Sequence, residues 1–505
     1  MDSNRPILIG VAQYSDPDVT LEAALDPVEM LSRVARGAAE SSGGDPRLVE
    51  KIDTIGLAAV IAWEPQNAPR LLADALGARP ATEWQSHNGG ESALSLVNRA
   101  ASRIAAGESE LAFVGGCNNI RAYQLARRAG RAKFDWPMGG EGKPTLVGTL
   151  GDGSDAVEAA VGLAMPIHFY PIFENALRAA RGLSIEDHRR SMGELFEPFT
   201  KVAANNPYAW FPTVRDAREL SEPTAANRMI CFPYTKYLNA VIETDQAAGA
   251  LIASEAMARR LGVPEESWIY WRGGAVAVED PWLVTRRPGF AECPAMRTCH
   301  ATAFANAGLS LDEIDLIDLY SCFPSAVTMA CEMVGLAPDD PRGLTLTGGL
   351  PYAGGPGNSY SFHSLAAAVS RLREKAGEHA LVTGNGWYLT KHSATIVSRR
   401  PDTSAGGPSA AEATDATRST WSAPPVVLRP EAEGDATVET YTIVHDREGA
   451  PEKGIIVGRL ADTNERFLAN TPPDPALLAD LEETELIGTR GRVRHEDGQN
   501  VYDPS

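Results

Sequence analysis

The chain has 505 residues, room for roughly three compact units at ~150 residues each, and its 44% hydrophobic and 22% charged content is that of an ordered globular protein. Lys and Arg number 46 against 66 Asp and Glu, and the resulting net charge of −20 repels a polyphosphate strand, which argues against a nucleic-acid binder. Six cysteines (Cys117, Cys231, Cys293, Cys299, Cys322, Cys331) with no CxxC spacing give neither a disulfide framework nor a zinc knuckle, so no metal is expected and the compartment reads as reducing.

The N-terminal segment MDSNRPILIGVAQ carries Asp2 where an export signal would be basic, which predicts a cytoplasmic protein. EKIDTIGL, ending at Leu57, predicts a short linker and a buried strand. ALSLVNRAASRIAAG, Ala93 to Gly107, has the period of an amphipathic helix and leads into the strand LAFVGG, ending at Gly116. From about Asn118 to Arg260 runs a long excursion, expected to cap a site with its loop NNPYAW, Asn205 to Trp210. Its longest uncharged stretch, between Glu158 and Glu174, holds His168, Pro166 and Pro171 and falls short of the ~18 apolar residues of a membrane span.

The same plan then returns. DEIDLIDL, ending at Leu319, repeats EKIDTIGL, and Gly107, Glu108, Leu111 and Gly116 match Gly377, Glu378, Leu381 and Gly386 at one offset. Two copies in the same order predict an internal duplication. Strands alternating with helices such as SLAAAVSRLREKAG, Ser364 to Gly377, predict parallel sheets covered by helices, with ligands beyond the carboxyl ends of the strands. After SATIVSRRP, Ser393 to Pro401, a small-residue run predicts a linker over 402–425. Strands Ala436 to Asp446, Lys453 to Asp462 and Gly488 to Asp497 then predict a small β-barrel over 426–505.

Several strings carry a resemblance over roughly residues 5 to 400. Arg228 to Val263, with its acidic turn at Asp245 to Gly249, DLIDLYSCFPSAV at Asp315 to Val327, and GGLPYAGGPGNSYSFHSL at Gly348 to Leu365 resemble the sterol-carrier-protein-type thiolases of the thiolase superfamily. The added C-terminal barrel resembles the type-1 thiolase-like proteins, usually named acetyl-CoA acetyltransferases. The resemblance implies a duplicated α/β fold of two βαβαβαββ halves in five layers, α-β-α-β-α. The first half would span 1–117, the lid and end of that half 118–260, and the second half 261–401, followed by an OB-like barrel. It also implies an acyltransferase-like protein of lipid metabolism that takes acyl-CoA or CoA as substrate or ligand, with no permanently bound cofactor. A homodimer pairing near Gly116 is the family default, and a monomer is the alternative.

Thiolase chemistry needs a thiolate, an acid/base for the α-proton and donors for two oxyanions. In the matching positions this chain has Gly90 for the nucleophilic Cys, Gly355 for the His of Gly-His-Pro and Val382 for the second Cys, while Tyr320 replaces the Asn or His of the second motif. Ordinary thiolysis is therefore not expected. Tyr320 and His363 are the catalytic candidates, and His87, Cys322, Tyr352, Asn358 and His392 the candidate pocket residues. Cys322 reads first as a small buried hydrophobe, the commoner state of a free cysteine. Thiolase-fold retro-aldolases also place a tyrosine where Tyr320 stands, and a second where Gly355 stands; Tyr352 and Tyr360 flank that gap. Two alternatives thus accompany the acyltransferase reading: a non-catalytic acyl-CoA binder or partner subunit, and a Tyr-dependent retro-aldol or Claisen lyase. Arg121, Arg127, Arg128, Arg131 and Lys133 form a run without an acid, a candidate contact for the phosphates of coenzyme A on an otherwise acidic chain.

Overall fold

The computed structural model describes residues 4–130, 135–401 and 416–504. Its α/β body is built twice. In the first half, strand Thr54–Leu57 pairs in parallel with Leu111–Asn119, which pairs antiparallel with Asp245–Ser254, which pairs antiparallel with Pro6–Ser15. In the second, Leu316–Asp318, His379–Gly386, Lys391–Ser398 and Ile269–Asp280 repeat that sequence of pairings. The duplication expected from the glycine and leucine matches is thus a duplication of sheet connectivity. The two half-sheets touch where Ile7 and Leu8 pair with Tyr270 and Ile269.

Five layers follow from which faces are apolar. Helices Ser92–Ala105 and Tyr360–Arg373 pack face to face between the half-sheets, burying Leu94, Val97, Ala101, Leu365 and Val369 in one central core with Val114, Ile252, Val382 and Val397. Helices Pro27–Ser41 and Ala68–Leu76 cover the outer face of the first half-sheet, and Pro294–Ala307 and Pro324–Val334 that of the second. The strands are buried on both faces, so they read as continuous apolar runs rather than alternating ones. Helix Pro27–Ser41 starts where it does because the Asp26 carboxylate accepts the Val28 and Glu29 N–H groups, Glu29 returns a bond to the Asp26 N–H, and Pro27 pre-sets the first turn.

Strand Leu111–Asn119, through which the family resemblance implied dimer pairing, is fully buried between Thr54–Leu57 and Asp245–Ser254. It offers no free edge. The outer strand Thr82–Ser86 is itself covered by Thr145–Val147.

The C-terminal region closes a five-stranded barrel from Gly434–His445, Pro451–Leu460, Arg466–Asn470, Arg490–Glu496 and Gln499–Pro504. Numbered along the chain, the order around the barrel is 1-2-3-5-4-1, with the third and fifth strands parallel and helix Pro475–Asp480 between the third and fourth. This is the OB-like barrel expected. The third and fifth strands escaped the sequence reading. RFLAN is short, and QNVYDP is polar and ends in proline.

The barrel is not a separate bead on a linker. A hairpin from the excursion, Met229–Cys231 and Tyr234–Thr235, joins its sheet through Cys231 against Val444, and Met229 and Phe232 enter its core. Asn175 and Ile172 of helix Pro166–Ala180 bond Tyr441 and Thr440 of its first strand at 2.9 and 2.7 Å. Of the expected linker, 402–415 lies outside the described residues, and Thr417–Thr420 forms a parallel strand beside Ile269–Asp280. No helix among the described residues is long and apolar enough to cross a membrane.

Candidate functional site

The carboxyl ends of Thr54–Leu57, Thr82–Ser86, Leu316–Asp318 and His379–Gly386, with the N-terminal ends of both central helices, converge on one region, where an α/β sheet of this kind places its ligand. Asn358 stitches the halves together there. Its amide donates to the Ala59 carbonyl at 2.7 Å and to Asn88 Oδ1 at 3.0 Å, and its Oδ1 accepts the Gly89 N–H at 2.9 Å. The loop after it in space, Asn205 to Trp210, covers the region from above: Trp210 N–H donates to the Ala353 carbonyl and Asn206 to that of Thr347.

Tyr320 stands at the centre. Its backbone N–H is fixed by Thr383 Oγ1 at 2.8 Å, and its ring meets Tyr360 edge-on with centroids 5.5 Å apart. Its phenol lies against Gly90. A Cβ at position 90 would come within 2.8 Å of Tyr320 Cζ and would overlap both the Tyr320 hydroxyl and the Asn385 carbonyl oxygen. Gly90 and Tyr320 are therefore coupled: the phenol fills the space that any side chain at position 90 would need. Burial holds the Tyr320 pKa well above that of an ordinary phenol, with Cys322, Tyr360 and Glu91 adding to the shift, so the group is a proton or hydrogen-bond donor rather than a phenolate.

Beneath Gly90 lies a pair the sequence reading missed. Glu91 and Lys391 meet at 2.8 Å, both almost fully buried, and the ammonium also donates to the Asn88 carbonyl at 2.5 Å. Burial pushes the Glu91 carboxyl up while Lys391 draws it down. Lys391 also sets the fate of its neighbour, because successive residues on a strand face opposite ways. Lys391 enters the site, and His392, the predicted pocket residue, faces the outer helix, with Nε2 3.2 Å from Cys293 Sγ.

The other candidates divide. His87 is half-buried, and burial together with nearby Lys391 lowers its pKa. His363 sits in the first turn of Tyr360–Arg373, with Nδ1 2.9 Å from Gln13 Oε1 and Nε2 buried without a partner. Burial lowers it to about 3, so it stays a neutral imidazole and a weak base at neutral pH. Cys322 is buried, with its thiol pushed up to about 12 by burial, next to Tyr170 of the excursion, whose hydroxyl accepts from Asn385 at 2.9 Å. Tyr352 packs edge-on against Phe196, its hydroxyl buried without a partner. All six cysteines are buried, and burial raises every thiol pKa, so the chain presents no activated thiolate.

Of the two other residues matched to the family's motifs by resemblance, Val382 is fully buried in the central core, and Gly355 donates its N–H to the Val241 carbonyl at 2.8 Å. In the arginine run, helix Ile120–Arg128 follows strand Leu111–Asn119 at the same edge. Arg121 and Arg128 both face Glu243, at 3.9 and 4.0 Å, and Arg127 lies over the Tyr123 ring. Arg131 and Lys133 lie outside the described residues.

Reinstating the thiol at Gly90→Cys is expected to cost about 1–3 kcal/mol as an overpacked core and to leave thiolysis of acetoacetyl-CoA undetectable. Denaturant midpoints and a CoA-thioester assay check both; wild-type stability with gained thiolysis would show that the phenol yields.

The family model for the thiolase-like protein type 1 additional C-terminal domain matches residues 419–499. Among solved structures, a monomeric SCP2-thiolase-like protein type 1 from Mycobacterium smegmatis is 36% identical, with both chains covered to 100% and a TM-score of 0.83. An Ltp2–ChsH2(DUF35) aldolase shares the fold at 17% identity and a TM-score of 0.59, over 79% of this chain and 98% of that one. Among curated proteins, sterol carrier protein 2 of Homo sapiens is 24% identical over 229 residues, 39% of each chain. The 3-oxoadipyl-CoA/3-oxo-5,6-dehydrosuberyl-CoA thiolase of Escherichia coli is 29% identical over 171 residues, 34% of this chain and 39% of its own. The chain thus spans about two fifths of the length of the curated relatives it matches.

Proposed function

Since the chain belongs to the SCP2-thiolase-like proteins of type 1, we propose that it is a monomer that binds an acyl-CoA thioester of lipid metabolism and acts on it through Tyr320 instead of a cysteine. The observation that carries this is the phenol seated on Gly90. A neutral phenol at that point donates to an oxygen that gains charge, such as a thioester carbonyl becoming an enolate, whether the carbon–carbon bond beside it is formed or broken. The relatives named above include a CoA-thioester thiolase and a protein described as monomeric, which supports the ligand class and the oligomeric state. The helix Ile120–Arg128 is the proposed seat of the CoA phosphates, with Arg127 and Arg128 as contacts, at the rim of the same edge.

The vacated positions Gly90, Gly355 and Val382 support a second reading, a binder of acyl-CoA without turnover. One set of measurements separates the two. CoA and acyl-CoA binding are measured first, then turnover of acetoacetyl-CoA with CoA and of a β-hydroxyacyl-CoA, in wild type and Tyr320→Phe. We expect binding, no thiolysis, and cleavage of the hydroxyacyl thioester that falls roughly 10²-fold or more in Tyr320→Phe with binding retained. Turnover unaffected by the substitution removes Tyr320 from the mechanism, binding without any turnover selects the second reading, and absence of CoA binding ends both. Arg127→Glu with Arg128→Glu weakens CoA binding if the phosphate seat is right; unchanged affinity rejects it.

A further inference from the structure

On the outer face of the second half-sheet, away from Tyr320, three side chains of different ligand type meet. Glu279, from the end of strand Ile269–Asp280, Cys293, the residue before helix Pro294–Ala307, and His392 are 0%, 1% and 1% exposed. One donor atom from each lies within 4.8 Å of the other two; Cys293 Sγ is 3.2 Å from Glu279 Oε1 and 3.2 Å from His392 Nε2.

Among the described residues Glu279 makes no direct ion pair, and the one buried cation coupled to it and to Cys293, Arg287, acts through charge alone. Buried carboxylates are paired with a cation or bind a metal, yet among the described residues no lysine or arginine comes within ion-pair distance of Glu279. The buried guanidinium of Arg287 is nearby but spends its donors on the carbonyls of Pro281, Trp282, Tyr388 and Leu389 and on the Thr390 hydroxyl. Glu279 has instead only hydrogen-bond donors: the Ala295 N–H at 2.8 Å, the Trp421 indole N–H at 2.7 Å and the Cys293 thiol. His300, also buried, stands near His392 with its Nδ1 unpartnered.

We propose that Glu279, Cys293 and His392 form a binding site for a divalent cation of zinc type. Thiolate sulfur, imidazole nitrogen and carboxylate oxygen are the three donors such an ion takes, and a tetrahedral centre would hold them about 3.5 Å apart, a few tenths of an ångström wider than the contacts seen. Binding replaces the thiol proton, which leaves to solvent, and the two anionic ligands match the charge of the ion. The indole and backbone N–H groups that orient Glu279 are the kind of outer support a ligating carboxylate requires. A surface cleft of about 370 Å³ is lined by Phe290, Glu292 and Trp421, the last of which bonds Glu279. The site is independent of the acyl-CoA reading, since neither its residues nor its test involve Tyr320.

The full-length protein, treated with chelator and then titrated with zinc against a chromophoric competitor, is expected to take up one equivalent, and cobalt is expected to give a near-ultraviolet sulfur-to-metal band. Cys293→Ser should abolish the band and His392→Gln should weaken zinc at least tenfold, while Cys231→Ser, a buried thiol beside the barrel, should leave both unchanged. Glu279→Gln, which keeps the side-chain shape, serves if Cys293→Ser fails to fold by circular dichroism, and it too should weaken zinc. Failure of the wild type to bind zinc stoichiometrically, or binding that survives both the Cys293 and Glu279 substitutions in folded protein, overturns the site.

Discussion

Lys391→Met is expected to destabilise the protein by about 3–5 kcal/mol, because it leaves the Glu91 carboxylate buried without its cation. Glu91 Oε2 already has no hydrogen-bond partner, and the glycines at 89 and 386 crowd the carboxyl so closely that a Cβ on either would overlap it. The single substitution Glu91→Gln should also destabilise, but the double variant should cost less than the two added together, since it removes both charges at once. The pH dependence has a definite sign. Burial already raises the Glu91 pKa, and without Lys391 it rises further above its unfolded value, so the folded state of the variant holds the proton more tightly and gains relative stability as pH falls. The deficit against wild type should be smaller at about pH 5 than at about pH 8. Denaturant midpoints at the two pH values measure it; an unchanged or inverted difference would show that the pair contributes nothing net.

Arg466→Met is expected to destabilise the protein by about 2–4 kcal/mol, chiefly because two buried carbonyls lose their donor. Arg466 is fully buried in the third barrel strand and holds Glu439 with two bonds, at 2.6 and 2.8 Å, while another nitrogen donates to the carbonyls of Thr285 and Arg287 in the second half. Removing it takes two buried carbonyls' donor away in one step and leaves Glu439 with Arg459 alone, at 3.0 Å, which loosens one of the fastenings between the barrel and the α/β body. If the barrel unfolds alone, circular dichroism should show two transitions in the variant and one in wild type; a single transition at the wild-type midpoint would refute the role.

The sequence carried the architecture because its signals are local and repeated. The two linker-strand strings recur in order, so the duplication could be read before any contact was known, but the glycine match runs two residues out of register: Lys375, not Gly377, takes the left-handed turn that Gly107 takes after its helix. Tyr320 was legible through the family motif, and the structure seats its phenol on Gly90. Glu91 and Lys391 were not legible: they are far apart in the chain, and a single lysine in an apolar strand looks like an end of that strand rather than half of an ion pair. Parity hid His392 in the same way. With both faces of Lys391–Ser398 buried, no alternation of polar and apolar residues says which neighbour looks into the site. The barrel strands Arg466–Asn470 and Gln499–Pro504 lack a hydrophobic pattern because the barrel closes through their backbones and a few core side chains, Phe467, Ala469 and Tyr502.

The hairpin Met229–Thr235 adds a constraint on the order of events during synthesis. Its partner strand, Gly434–His445, leaves the ribosome only after the whole second half, so Met229 and Phe232 must wait with their apolar faces uncovered while that half is translated. Such a delayed, long-range pairing is slow and leaves a sticky surface open in the interval. A chain stopped before residue 434 would therefore possess both halves of the α/β body and still lack a finished lid, so the barrel acts as the closing piece for a segment made two hundred residues earlier, by order of magnitude.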